Sequence, residues 1–82
     1  MIRVRVLLFA VYRDLAGTAE VDVEVPFEAT ARTAVDRLRA LNDRFARLPA
    51  EPAVAVNLEY TGLDASLNDG DELALLPPVA GG

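Results

Sequence analysis

The chain opens on an alternation: Ile2, Val4, Val6 and Leu8 fall on one side and Arg3, Arg5, Leu7 and Phe9 on the other. A period of two is that of a strand, and it predicts one over residues 2–9, half buried at its start and apolar on both faces at its end. Residues 10–16 fit a short helical turn, because Val11 and Leu15 stand four apart and Gly17 is placed to end it. From residue 20 to 25 the alternation is strict, with Val21, Val23 and Val25 set against Asp22 and Glu24 before Pro26 closes the run. This predicts a second strand, antiparallel to the first.

The period then changes. Thr30 suits the N-cap of a helix running to about Arg47, in which Ala31, Ala34, Val35, Leu38, Leu41 and Phe45 recur at spacings of three and four. Its apolar stripe faces a sheet, and its arginines gather towards the end where the helix dipole favours cations. Residues 48–52, with Pro49 and Pro52, form a loop. Residues 53–58 read as a third strand with Val54, Val56 and Leu58 on one side, and a turn at 57–59 leads to a short segment around Tyr60. Asn68-Asp69-Gly70-Asp71 is a turn whose acidic side chains serve local backbone groups. Residues 72–76 give the last strand, with Leu73 and Leu75 on one face and Ala74 and Leu76 on the other.

Strand, strand, helix, strand, strand defines an α+β fold, a mixed sheet of four to five strands packed on one main helix. A helical crossover after the first hairpin lets the last strand lie parallel beside the first. Phe9 and Leu76 then become neighbours on the face that the helix leaves bare, and Tyr60 reaches the same area. Three apolar side chains converging there suggest an interface. Residues 1–76 make the domain and residues 77–82 an extended tail.

Composition narrows the chemistry more than the fold. With 82 residues, 52% of them hydrophobic and 26% charged, the chain is one folded domain and not a disordered segment. A net charge of −5 without a basic stripe excludes nucleic acid as the natural partner. No apolar run approaches the ~20 residues that span a bilayer, and no secretory signal opens the chain, so a cytoplasmic protein with no membrane partner is expected. There is no Cys and no His, and Ser66 is the only Ser, which excludes thiolate chemistry, zinc sites and a self-contained hydrolase. All eight basic residues are Arg, so no side-chain amine accepts an acyl group.

Attention therefore moves to the end, Pro77-Pro78-Val79-Ala80-Gly81-Gly82. Pro77 and Pro78 fix φ near −65° and cannot continue a ladder, so the tail leaves the sheet in one stiff direction. Gly81 and Gly82 have no Cβ and can thread a narrow channel. Six residues reach at most about 20 Å, enough to enter another protein's active site.

The order of elements resembles the ubiquitin-like β-grasp fold, and the chain resembles its sulfur carriers, in particular the small subunits of molybdopterin synthase. The resemblance lies in Leu8-Phe9-Ala10 followed by Arg13 and Gly17, in Ala55-Val56-Asn57, in Leu67-Asn68-Asp69-Gly70-Asp71-Glu72, and above all in Pro77-Pro78-Val79-Ala80-Gly81-Gly82. Leu58 departs from it, since relatives often carry a smaller or polar residue after the Asn, and this leaves the turn type open. The resemblance implies that an adenylyltransferase similar to ubiquitin-activating enzymes uses ATP and magnesium to activate Gly82, and that a sulfur donor then converts it to a thiocarboxylate. The large synthase subunit would receive the tail, and the carrier itself would bind no cofactor. It further implies that Phe9, Tyr60 and Leu76 form a hydrophobic docking patch. Arg13 is either a partner contact or a solvated helix charge. Three other readings stay open: a thiamine-pathway sulfur carrier, a protein modifier attached through Gly82, and an interaction domain whose tail does nothing.

Overall fold

The computed structural model describes residues 1–78, so Val79, Ala80, Gly81 and Gly82 lie outside the described residues. Its elements run β1 (Ile2–Leu8), α1 (Ala10–Ala16), β2 (Glu20–Val25), α2 (Ala31–Arg39), a 3₁₀ turn (Phe45–Arg47), β3 (Ala53–Val56), β4 (Glu59–Thr61) and β5 (Glu72–Leu76). The strands form one mixed sheet in the spatial order β2-β1-β5-β3-β4. β1 lies antiparallel to β2 with Val4 opposite Val23, and parallel to β5 with Leu8 opposite Leu75. β3 runs antiparallel to both of its neighbours. The last strand is therefore the central one, and the tail departs from the middle of the sheet.

Burial follows the alternation. Val4, Val6, Leu8, Val23, Val25, Val54, Leu73 and Leu75 point to one face, where Ala31, Ala34, Val35 and Leu38 of α2 close over them. Alanines at 31 and 34 let the helix axis approach the sheet, since interaxial distance is set by the side chains at the contact. Each fully buried leucine or valine adds about 1.5–3 kcal/mol over leaving it in water.

Three elements end earlier than the periodicity alone predicts. α2 stops at Arg39, and the stripe from Leu38 to Phe45 is carried across two separate elements. Asn42 Oδ1 accepts a hydrogen bond at 2.8 Å from the N–H of Phe45, the first residue of the 3₁₀ turn. A short polar side chain that satisfies nearby backbone competes with continuation of a helix, and here it wins. Arg39 reinforces the break, its Nε donating to the Leu48 carbonyl at 2.8 Å. Phe45 remains in the core, whereas Leu41 is exposed.

The predicted strand over 53–58 ends at Val56, because Asn57 (φ 50°) and Leu58 (φ 72°) turn the chain back into β4, with Val56 opposite Glu59. Two consecutive positive φ values define a type I′ hairpin, the form whose twist matches that of its strands. β1 ends at Leu8, and Phe9 is the residue on which α1 begins.

Candidate docking site

Two faces of the sheet have different fates. The helices cover one. On the other, pairing in register places Glu20, Leu7, Ala74, Ala55 and Tyr60 in one row across all five strands. In the next row towards the tail, Leu76 stands opposite Ala53, and Phe9 continues the alternation of β1 in extended backbone (φ −122°, ψ 154°). Ala55 and Ala74 are buried yet stand apart from the main core cluster. They form the floor of an apolar strip, flanked by half-buried Leu7 and Leu76.

Phe9 and Tyr60 do not touch in one knot; they mark the two ends of this strip. Adjacent strands lie about 4.8 Å apart, so the three steps from β1 to β4 separate them by roughly 14 Å. Phe9 is 47% exposed and Tyr60 86% exposed. Pro77, half buried, and Pro78, exposed, carry the chain out beyond Leu76. Arg13 is exposed on α1, one turn beyond Phe9, and its N–H donates to the Phe9 carbonyl at 3.3 Å. Val79, Ala80, Gly81 and Gly82, expected to form the end of the tail, lie outside the described residues.

Away from the tail the same face is charged. Arg3 pairs with Glu24 at 3.6 Å, and Arg5 with Glu20 and Asp22, each at 3.8 Å. These exposed pairs contribute little to stability. Their effect is to divide the bare face into a hydrated half at the start of β1 and an apolar half at the tail. On the helical side, a 2.7 Å hydrogen bond to Glu51 raises Arg32 above the usual guanidinium range.

Leu7, Ala53, Ala55 and Ala74 belong to the strip although the sequence reading did not assign them to it. The signal was available: apolar residues occupy positions where the bare face of an antiparallel ribbon would ordinarily be polar. The loop behind the strip is held by side chains. Asn57 Nδ2 donates to Asp71 Oδ1 and Asn57 Oδ1 accepts from the Glu72 N–H, both at 3.0 Å, and Asp71 Oδ2 accepts from the Asn68 N–H at 2.7 Å. Asp69 Oδ1 accepts from the Arg3 N–H at 2.8 Å. Asp71 therefore serves its own turn, as expected, whereas Asp69 ties that turn to the distant backbone of β1. Among the described residues no helix is long and apolar enough to cross a membrane.

A small mixed sheet clasping one main helix, with the last strand central and an apolar strip leading to Pro77 and Pro78, defines a ubiquitin-like β-grasp domain. Residues 6–82 match the ThiS family, and the chain belongs to that family. It is 37% identical to the molybdopterin synthase sulfur carrier subunit of Escherichia coli strain K12, over 96% of this chain and 99% of that protein. Among solved structures, Haloferax volcanii small archaeal modifier protein 1 is 31% identical and superposes with a TM-score of 0.83, covering 96% of this chain and 100% of its own. The fold also recurs, at a TM-score of 0.69 and 23% identity over 99% of this chain and 100% of that one, in the Helicobacter pylori complex of subunits 1 and 2 of molybdopterin-converting factor.

Proposed function

We propose that this chain is the sulfur-carrier subunit of a molybdopterin synthase, with Gly82 as the carrier residue. The observation that carries the reading is the apolar strip of Leu7, Ala55, Ala74 and Leu76, which runs to the base of a Pro-Pro tail in a member of the ThiS family. Likeness to the E. coli carrier supports it.

The chemistry begins at a carboxylate. The α-carboxyl group has an ordinary pKa of about 3.3–3.7, so it is ionised at neutral pH and is a poor electrophile. An activating adenylyltransferase, using ATP and magnesium, converts it to an acyl-adenylate with release of pyrophosphate. A sulfur donor displaces AMP to leave a thiocarboxylate. The large synthase subunit docks on the strip, the tail enters its active site, the thiocarboxylate sulfur bonds to a cyclic pyranopterin, and water cleaves the resulting thioester so that the sulfur stays on the pterin and Gly82 returns to a carboxylate. Pro77 and Pro78 aim the tail, Val79 and Ala80 bind the partner, and Gly81, without a Cβ, does not crowd the reacting carbonyl. Phe9, Tyr60 and Leu76 dock the partner, and Arg13 borders them. The chain holds no cofactor, and its role is played in the cytoplasm.

A second reading, a protein modifier joined to target amines through Gly82, is favoured by the likeness to the archaeal modifier protein. One assay separates the readings. Protein carrying a thiocarboxylate at Gly82 is mixed with molybdopterin synthase large subunit and cyclic pyranopterin, or with thiazole synthase and its substrates, and intact mass is followed. Reversion to carboxylate with dithiolene product in the first mixture alone is expected. Reversion only in the second assigns the chain to thiamine synthesis, and persistence in both favours the modifier.

A further inference from the structure

Leu58 breaks two local rules at once. It holds a left-handed backbone (φ 72°) at the second central position of the β3–β4 hairpin, and its side chain is 90% exposed. Glycine, asparagine or aspartate fills such a position without strain, whereas a branched L-residue crowds its own backbone there. An exposed leucine gains nothing from folding that would offset this. Strain of this kind persists where it serves a site.

The surroundings say which site. Two residues along the chain, Tyr60 ends the apolar strip on β4, and the turn that carries Leu58 adjoins it at the edge of the sheet, on the side away from the tail. The turn is rigid, since the Asn57 side chain bonds both Asp71 and the Glu72 N–H, and the Asn57 N–H donates to the Glu72 carbonyl at 2.9 Å. A projecting apolar group on a fixed turn loses little freedom on binding. Carboxylates stand near: Glu59 follows in sequence, and the Asp71 carboxylate accepts from the Asn57 side chain.

We infer that Leu58 is a specificity-determining contact for the large synthase subunit, inserting into an apolar socket rimmed by basic side chains. This rests on the reading of the strip as that subunit's docking face. Continuity with the strip argues for the same partner, and the nearby carboxylates argue for a basic rim.

The test uses opposite signs. Leu58→Gly removes the strain and the side chain together, so thermal stability should hold or rise by a few degrees. Affinity for the large subunit, measured by calorimetric titration, should fall about fivefold or more, as for a peripheral apolar contact. Leu58→Met restores an apolar side chain at the same backbone and should recover most of that affinity. Lower stability in Leu58→Gly would mean that Leu58 supports the fold and would overturn the inference. So would unchanged affinity, or a loss seen only with the adenylyltransferase. Phe9→Asp is the control: if it weakens binding and Leu58→Gly does not, the docking face stands and this inference fails, and if neither weakens binding both fail.

Discussion

Gly17 offers a perturbation whose magnitude can be worked from geometry. It ends α1 in the left-handed region (φ 78°), its N–H donating to the Arg13 carbonyl at 2.8 Å. A Cβ added there would lie 2.7 Å from Arg44 Cζ, 2.9 Å from Nη1 and 3.0 Å from Nη2. The end of an arginine usually moves aside at little cost, but this one is engaged. Arg44 Nε donates to the Leu15 carbonyl at 2.8 Å and Nη2 to the Asp14 carbonyl at 3.3 Å, supplying partners to the last carbonyls of α1.

Gly17→Ala therefore meets two penalties. Placing an L-residue in the left-handed region costs about 1–2 kcal/mol. Displacing an exposed guanidinium from two carbonyls costs about 1 kcal/mol more. The expected loss is about 2–3 kcal/mol, which for a domain of this size lowers Tm by roughly 10–20 °C. A double-mutant cycle separates the parts: in an Arg44→Ala background the alanine should cost only the backbone penalty, leaving a coupling of about 1 kcal/mol. Urea unfolding of the four proteins measures it. Equal losses in both backgrounds, within the ~0.3–0.5 kcal/mol scatter of independent sites, would refute the steric argument. A loss below about 0.5 kcal/mol in the parent would refute the backbone one as well. The consequence reaches the proposed docking face, because Phe9 is the N-cap of α1, which carries Arg13.

Other expectations follow from burial and from the tail. Phe9→Asp should weaken association with the large subunit by about 2 kcal/mol or more while leaving the domain folded, as calorimetric titration and circular dichroism can check. Gly81→Val should abolish sulfur transfer with Tm nearly unchanged, and normal single-turnover kinetics in that variant would remove the crowding argument. Leu75→Ala, at a fully buried position between β1 and β3, should cost about 3 kcal/mol in chemical denaturation. The neighbouring Leu76→Ala, on the bare face, should cost less than about 1 kcal/mol in stability and act chiefly on binding.

Much of this protein is written locally. Period-two runs marked β1 and β2 because alternate side chains must point to opposite faces whatever their neighbours do. Thr30 marked the start of α2, where its hydroxyl accepts from the Thr33 N–H at 3.5 Å. Gly17 marked the end of α1 because few other residues enter the left-handed region without strain. The Pro-Pro and Gly-Gly pairs of the tail were equally legible, since ring closure and the missing Cβ act on single residues.

Tertiary structure decided what depends on competition and on partners distant in sequence. Leu38, Leu41 and Phe45 share one helical period, yet the Asn42 side chain diverted the backbone after Arg39 and left Leu41 in water. No periodicity could weigh that hydrogen bond against one more helical turn. The spatial order β2-β1-β5-β3-β4 joins Leu7, Ala74, Ala55 and Tyr60 into one row, although they lie up to 67 positions apart in the chain (74 − 7). Each is unremarkable alone, and only cross-strand pairing turns them into a surface. The strain at Leu58 is of the same kind: its sequence reads as the end of a strand, but the hairpin register sets the backbone angle that makes it conspicuous.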